Sequence, residues 1–178
     1  MPYSWRIMSR KSTMLLLATI VLIDFFAAHV TAEWTAVVKT TNGPVRGEIL
    51  ETVNSVKYAA FKGMRYGKAP LGHLRFKPPI AVDPWTKTLN ATAEGADCIQ
   101  FDAVTKGSVK GSEDCLFINV YTPVTDLAKP RTNLKSVMVW FYGGGFTTGT
   151  SSRKLYNPDY LLGKDVVFVS FNYRLGPL

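Results

Sequence analysis

The sequence lacks any run of basic residues, although its formal net charge is +8 at pH 7. Charged residues make up only 19% of the 178 residues, and aromatic side chains do not alternate with lysine or arginine. A nucleic-acid interface requires a clustered basic surface. The composition therefore predicts no nucleic-acid partner. Because 47% of the residues are apolar, the chain can form one ordinary domain with a buried core.

Residues 1–32 have the features of a secretory signal peptide: a basic start, an apolar run over residues 14–23, and small residues before a cleavage point. Cleavage after Ala32 would leave Glu33 as the mature N-terminus. The alternative is a membrane anchor, which Asp24 disfavours because a charge in mid-span costs about 2.5 to 3.5 kcal/mol. We expect a secreted, extracellular domain over residues 33–178, with membrane contact only if the signal stays uncleaved.

Cysteine and histidine are also scarce, with two of each. Since His29 lies in the leader, the remainder cannot supply a tetrahedral zinc set, and the sequence predicts no metal. In an oxidising compartment Cys98 and Cys115 can pair. Such a bond would stabilise the fold by about 3 kcal/mol in the chain-entropy model. The alternative is two free buried thiols.

One glycosylation sequon is present, Asn90-Ala91-Thr92. If Asn90 carries a glycan, the segment must be accessible, and the sequence predicts a surface loop there.

The first part of the mature chain predicts a small antiparallel meander. Residues 34–40 and 45–50 are rich in β-branched side chains and flank the turn signal Asn42-Gly43, which predicts a β-hairpin. Residues 56–61 are a third candidate strand.

Three apolar runs follow, over residues 116–121, 137–142 and 166–173. The last two are almost continuously apolar, which is typical of strands covered on both faces by helices. Between them, the sequence predicts a short helix with Asn157 as N-cap and Gly163 at its end. The predicted fold is therefore α/β, with the meander leading into a mixed, mostly parallel central sheet.

The second of these runs leads directly into Gly143, Gly144 and Gly145. Three adjacent glycines expose three backbone N–H groups and allow close approach of a bound atom, so the loop can hold an anion. No Gly-Lys-Ser/Thr follows and the dinucleotide spacing is not met, so no nucleotide cofactor is expected. The alternative is a merely flexible turn.

Four blocks of sequence resemble, in order and spacing, the type-B carboxylesterases, the cholinesterase-like branch of the α/β-hydrolases. They are residues 70–76 (PLGHLRF), 107–123 (the stretch around SEDCLFINVYTP), 139–146 (VWFYGGGF) and 172–176 (NYRLG). The resemblance extends from about residue 35 to residue 178, and the sequence in the middle of the chain is similar to that of secreted insect esterases. It implies the N-terminal part of an α/β-hydrolase fold.

The resemblance also implies roles for particular residues. In this family the loop that matches the glycines forms the oxyanion hole, which implies the amides of Gly144 and Gly145, and the substrates are small-molecule carboxylic esters. The family pairs the cysteines that match Cys98 and Cys115. It also joins the residues that match Arg75 and Glu113 in an ion pair, for which the alternative is two solvated charges.

The sequence contains no Gly-x-Ser-x-Gly nucleophile elbow, and His73 is the only histidine after the leader. A serine esterase needs both that serine and a histidine base. We therefore expect the N-terminal part of a longer esterase, a truncated gene model or a short isoform, inactive alone. We also expect Arg174 to need a partner beyond residue 178, and the strand over residues 166–173 to leave an open apolar edge.

Two further alternatives concern function. Cholinesterases carry a tryptophan between the two cysteines and a tyrosine after the glycine run, whereas residues 99–114 lack Trp and Thr147 follows Phe146. A general carboxylesterase is therefore favoured. The second alternative is a non-catalytic adhesion protein of the neuroligin or neurotactin type, which shares the scaffold.

Overall fold

The computed structural model describes residues 33–101, 107–128 and 133–178, all within one unit, Ala32–Leu178. The predicted leader, residues 1–32, lies outside the described residues. The strands and the one described α-helix are β1 Glu33–Trp34, β2 Val38–Lys39, β3 Pro44–Arg46, β4 Glu48–Glu51, β5 Lys57–Arg65, β6 Leu89–Asn90, β7 Gln100–Phe101, β8 Val109–Lys110, β9 Phe117–Thr122, β10 Val137–Trp140, α1 Asp159–Leu162 and β11 Val167–Phe171. Within these ranges no helix is long and apolar enough to cross a membrane.

The main sheet has six strands in the order β1-β4-β5-β9-β11-β10. It is mixed, as predicted, but within the described part of this sheet only β10 and β11 pair in parallel, and the other four pairings are antiparallel. The expectation of a mostly parallel sheet was therefore wrong for this part of the fold. A long connection permits a parallel pairing but does not require one: residues 66–116 join β5 to β9, and those two strands are antiparallel. In the described part of this sheet, the connection that carries α1 is the one that returns the chain to a parallel neighbour.

The predicted hairpin forms around Asn42-Gly43, with β2 and β3 antiparallel and Gly43 and Thr40 exchanging backbone hydrogen bonds of 3.1 and 3.2 Å. Its second strand, however, divides at Gly47, so that β3 belongs to a small sheet with β2 and β6, and β4 to the main sheet. A Cβ atom on Gly47 would lie 2.2 Å from the Ala60 carbonyl oxygen. The single predicted meander is thus shared between two sheets. Gly47 has no side chain, so the Ala60 carbonyl of β5 can lie close to the point where β3 ends and β4 begins.

A cluster of aromatic rings fills the core where β5, β9 and β11 meet. Tyr121 lies between Tyr58 and Phe168, with ring centroids 6.4 and 6.1 Å apart, and Leu162 of α1 packs against the same cluster. All four side chains are almost completely buried. The cluster holds β5, β9 and β11 in register and fixes α1 on one face of the sheet.

Strand β10 departs from the prediction that both its faces are covered. Its four residues are all exposed, whereas the middle of β11 is buried between β9 and β10. The open apolar edge of the described sheet is therefore β10 and not the strand predicted over residues 166–173. Continuous apolar character predicted a strand correctly, but it could not order the strands, since order depends on how the crossover places them.

Helix α1 begins one residue later than predicted. Pro158 is the N-cap, and the Asn157 side-chain oxygen accepts a hydrogen bond of 3.2 Å from the amide of Asp159. Gly163 ends the helix as predicted. Asp159 is buried because its carboxylate accepts from the Val53 amide (3.0 Å) and pairs with Arg153 (3.2 Å).

Two glycine substitutions test the division at Gly47. Gly47→Ala should lower the free energy of unfolding by about 1–3 kcal/mol, because the new methyl group overlaps the carbonyl of Ala60. Gly163→Ala is the control: Gly163 has ordinary helical angles, and the nearest atom to a new Cβ, the Tyr160 carbonyl oxygen, is 3.5 Å away. It should be neutral or stabilise by about 0.4–1 kcal/mol. Urea unfolding followed by circular dichroism measures both, and equal losses in the two variants would contradict the assignment.

Candidate active site: the glycine loop and the disulfide segment

The glycine loop, residues 143–149, follows β10 and forms a tight bend. Three consecutive residues have positive φ: Gly144 at 139°, Gly145 at 61° and Phe146 at 59°. The carbonyl oxygen of Gly144 accepts hydrogen bonds from the amides of Thr147 (3.1 Å) and Thr148 (3.2 Å). A Cβ on Gly144 would lie 1.8 Å from the Thr148 carbonyl oxygen. The bend therefore has a defined shape that requires glycine at position 144, which a merely flexible turn would not.

The amides of the bend point to no acceptor in the part of the chain that the structure describes. Gly143, Gly144 and Gly145 are exposed, and none of their N–H groups donates to a described protein atom. A groove of about 450 Å³ lies over these glycines. The rest of its lining is aromatic: Phe141, Tyr142, Phe146, Phe171 and Tyr173. Three glycines whose amides have no described acceptor thus line an apolar groove, an arrangement that suits a bound oxygen with partial negative charge.

Tyr142 and Tyr173 attach the end of β10 to the end of β11. Their rings stack with centroids 4.3 Å apart at 14°. The Tyr142 hydroxyl donates to the carbonyl of Tyr173 (3.3 Å), and the Tyr173 hydroxyl donates to the carbonyl of Tyr142. Burial raises the pKa of Tyr142 to about 12, and burial also raises the pKa of Tyr173.

The cysteines form the predicted disulfide, Cys98 to Cys115, with Cα atoms 4.9 Å apart. Both are buried, in a cluster with Leu116, Tyr142 and Leu175. The disulfide therefore packs against the strand end from which the glycine loop starts, and it belongs to the scaffold of the candidate site.

Two ion pairs flank the disulfide. The structure brings Arg75 and Glu113 together, with Nε and Oε2 2.6 Å apart. A second pair, which the sequence did not indicate, joins Arg65 to Asp114 through both carboxylate oxygens. All four side chains keep contact with solvent, so each pair should contribute at most about 1 kcal/mol. The guanidinium of Arg174 donates to the carbonyl oxygen of Lys77 (2.7 Å), which lies in the proline-rich loop, residues 67–84. A partner for Arg174 beyond residue 178 stays a prediction.

Gln100 is a further site residue that sequence reasoning missed. Its side chain is buried, and its amide nitrogen donates to the carbonyl oxygens of Cys98 (3.0 Å) and Gly149 (2.7 Å). Its amide oxygen accepts from the Thr148 hydroxyl (2.8 Å) and the Gly149 amide (2.8 Å). No pattern in the sequence links position 100 to positions 148 and 149, so only the tertiary structure reveals this contact.

Two further residues singled out in the sequence, Asn90 and His73, do not line the groove over the glycine loop. Asn90 is exposed, but it ends strand β6 instead of lying in a surface loop, and its side-chain oxygen accepts from Arg46 (3.1 Å). The strand forms because β6 pairs in parallel with β3. His73 is exposed in the 3-10 turn Gly72–Leu74. In the described ranges, no group of three or more His, Cys, Asp or Glu side chains could hold a metal ion.

Comparison with known proteins decides the family. Residues 35–178 match the carboxylesterase family over their whole length. The chain belongs to the carboxylesterase family. It is 45% identical over 141 residues to esterase B1 of Culex pipiens, and 42% identical over 140 residues to juvenile hormone esterase of Tribolium castaneum. These alignments cover 79% and 78% of this chain but 25% and 23% of those relatives. This carboxylesterase chain thus spans about a quarter of their length.

A solved structure supports the fold of this carboxylesterase chain. The crystal structure of juvenile hormone esterase from Manduca sexta, with OTFP covalently attached, matches with a TM-score of 0.69 and 39% identity. The match covers 80% of this chain and 27% of that protein. The α/β-hydrolase fold predicted from the four sequence blocks is therefore confirmed.

The tyrosine stack of this carboxylesterase chain predicts a loss of stability at alkaline pH. Above pH 10 tyrosine in the unfolded chain loses its proton, whereas Tyr142 in the folded chain keeps it up to about pH 12. The folded state then binds more protons, so the free energy of unfolding falls as pH rises from 10 to 12. We expect Tyr142→Phe to make this decline shallower by about 1–2 kcal/mol.

The control for the tyrosine stack is Tyr160→Phe, because Tyr160 is 73% exposed. Urea unfolding at a series of pH values measures the decline in each variant. A Tyr142→Phe curve that runs parallel to the Tyr160→Phe curve between pH 10 and 12 would show that the stack does not titrate as described.

Proposed function

We propose that this chain contributes the oxyanion hole of a secreted hydrolase of carboxylic esters, with the amides of Gly144 and Gly145 as donors. One observation carries the proposal. In a member of the carboxylesterase family, these amides lie without a described acceptor in a rigid bend beneath an aromatic groove.

The proposed role follows from the charge that ester hydrolysis creates. When a nucleophile adds to an ester carbonyl, the carbonyl oxygen becomes negative, and fixed N–H dipoles stabilise it more than they stabilise the neutral ester. Loss of one such donor typically costs about 2.7–4 kcal/mol of barrier stabilisation. The hydrogen bonds to the Gly144 carbonyl fix the bend in advance, so little reorganisation is needed at the moment of reaction.

Chemistry also requires an activated nucleophile, which these 178 residues do not supply. They contain no Gly-x-Ser-x-Gly, and the single histidine after the predicted leader, His73, is exposed in the proline-rich loop. We therefore propose that the chain by itself does not turn over esters, and that a serine, an acid and a histidine complete the site in the hydrolase to which this part belongs.

The groove supports esters with apolar substituents as the substrate class. Five aromatic side chains line it, and the three glycines add backbone amides as polar groups. Apolar walls with a few placed donors bind an apolar ligand and orient its carbonyl. The relatives described above are esterases, and two of them are named juvenile hormone esterases, so hydrolysis is favoured over an adhesive role.

Secretion and glycosylation belong to the same proposal. A buried disulfide suits an oxidising compartment, which agrees with a signal peptide over residues 1–32. Asn90 is exposed at the end of a short strand, where a glycan would extend into solvent.

A chimera tests the hydrolase proposal. Residues 35–178 would replace the matching quarter of juvenile hormone esterase from Manduca sexta, and hydrolysis of 1-naphthyl acetate would be measured. We expect an active chimera in which Gly144→Ala and Gly145→Ala each lower kcat/KM by about 10²-fold, because each keeps its amide but displaces it. Gly144→Ala displaces the Thr148 carbonyl, whereas Gly145→Ala has free space but strains a left-handed residue, so the two variants perturb the bend differently.

Gly163→Ala is the control for the chimera, since it lies outside the bend and should leave kcat/KM unchanged. Thermal melting establishes that each variant is folded. The 178-residue chain alone should show no hydrolysis above its Gly145→Leu variant. A folded but inactive chimera, or an active one that tolerates both bend substitutions, would overturn the proposal.

The glycosylation proposal has its own test. The chain expressed in a secreting insect cell line should carry a mass that an endoglycosidase removes, because Asn90 is exposed. Asn90→Gln and Thr92→Ala should abolish that mass, while Thr92→Ser preserves the sequon and should retain it. Secreted chain of unmodified mass, or modification that survives Asn90→Gln, would contradict the proposal.

A further inference from the structure

We propose that Gln100 is a positioning residue that sets the orientation of the Gly145 amide and connects the oxyanion bend to the disulfide segment, residues 96–100. This inference rests on the proposed function, because it assigns to Gln100 a part in preparing the same donors. Gln100 contacts the backbone of the glycine loop and not the groove above it.

The argument begins with the peptide group between Gly144 and Gly145. A peptide group is planar, so its C=O and its N–H point in opposite directions and turn together. The Gly144 carbonyl is held by the amides of Thr147 and Thr148 and by the Thr147 hydroxyl (3.1 Å). Whatever fixes those donors therefore also fixes the direction of the Gly145 N–H.

Thr148 is in turn held by Gln100. The Thr148 hydroxyl donates to the Gln100 side-chain oxygen, which also accepts from the Gly149 amide, while the Gln100 nitrogen donates to the Gly149 carbonyl. With the bond to the Cys98 carbonyl, both donors and both acceptor positions of the carboxamide are used. A side chain bound on all sides in this way has one orientation, so it acts as a rigid template for residues 148 and 149.

Gln100 is itself held in place by the disulfide. Gln100 lies two residues after Cys98, whose disulfide is buried. The residues just after the glycine loop are also joined to the disulfide segment. Thr150 donates to Asp97, and Asn172 accepts from the Ser151 amide (2.9 Å) and donates to the Ala96 carbonyl (2.9 Å). These contacts hold residues 150 and 151, whereas the contacts of Gln100 lie next to the bend.

The position of Gln100 next to the bend offers a matched pair of variants. Gln100→Leu removes all four hydrogen bonds at similar volume. Thr150→Val removes the bond to Asp97 and the bond accepted from the Ser152 amide, without touching the bend. Thr148→Val removes a single bond from Gln100, and Thr148→Ser should keep that bond. Because Gln100→Leu could disturb folding, the Thr148 pair provides an independent measurement.

Hydrogen exchange in the full 178-residue chain tests positioning without any activity. We expect Gln100→Leu and Thr148→Val to raise the exchange rates of the Thr147 and Thr148 amides at least about tenfold, since opening of the bend is what exposes them. Thr150→Val and Thr148→Ser should leave those rates unchanged. Unchanged rates in both Gln100→Leu and Thr148→Val would overturn the inference.

Kinetics of the chimera then test the link to the reaction. A misplaced oxyanion donor acts on the transition state more than on the bound ester, so kcat should fall by about 10²-fold in Gln100→Leu, while KM stays within about twofold. Thr150→Val should change neither. Faster exchange with an unchanged kcat in an active chimera would refute the role of Gln100. A chimera that is inactive without any substitution refutes the proposed function instead, and the exchange result remains valid for the loop.

Discussion

The orientation of one peptide group, between Gly144 and Gly145, is the constraint on which the candidate site depends. Its carbonyl oxygen accepts hydrogen bonds from Thr147 and Thr148, so its N–H points in the opposite direction, and both glycines line the aromatic groove. Only glycine fits at position 144, because the Thr148 carbonyl occupies the space of a Cβ atom. A donor whose direction is fixed before the substrate arrives needs no rearrangement during the reaction, and this is what makes a backbone amide effective in stabilising developing charge.

The rest of the described structure supports that peptide group through four features. The aromatic core beneath β5, β9 and β11 fixes the sheet, and the stack of Tyr142 on Tyr173 aligns the ends of β10 and β11. The disulfide packs beneath the start of the loop, and Gln100 extends that support to Thr148. Each feature uses a different interaction: apolar burial, ring stacking with hydrogen bonds, a covalent cross-link, and a side-chain amide whose donors and acceptors are all used. A polar group so fully paired adds rigidity without the cost of an unsatisfied buried atom.

Much of the fold could be predicted from local sequence signals. The turn at Asn42-Gly43, the strand character of the three apolar runs and the end of α1 at Gly163 all depend on nearby residues, and the structure confirms them. The predictions that failed depend on distant ones. Strand order placed β10 at the open edge, and pairing with β3 made Asn90 part of a strand. Hydrophobic periodicity carries no information on such long-range contacts.

The sequence by itself determined the family, the residue types of the glycine bend and the pair of cysteines, because each is encoded in a short contiguous pattern. It could not determine which atoms the bend would contact. The tertiary structure decided that Gln100, some fifty positions earlier in the chain, would saturate its amide against Thr148 and Gly149, and that Arg65 would pair with Asp114. The physical reason is that a hydrogen bond needs two groups at about 3 Å in a particular direction. Only the folded path of the chain brings such groups together.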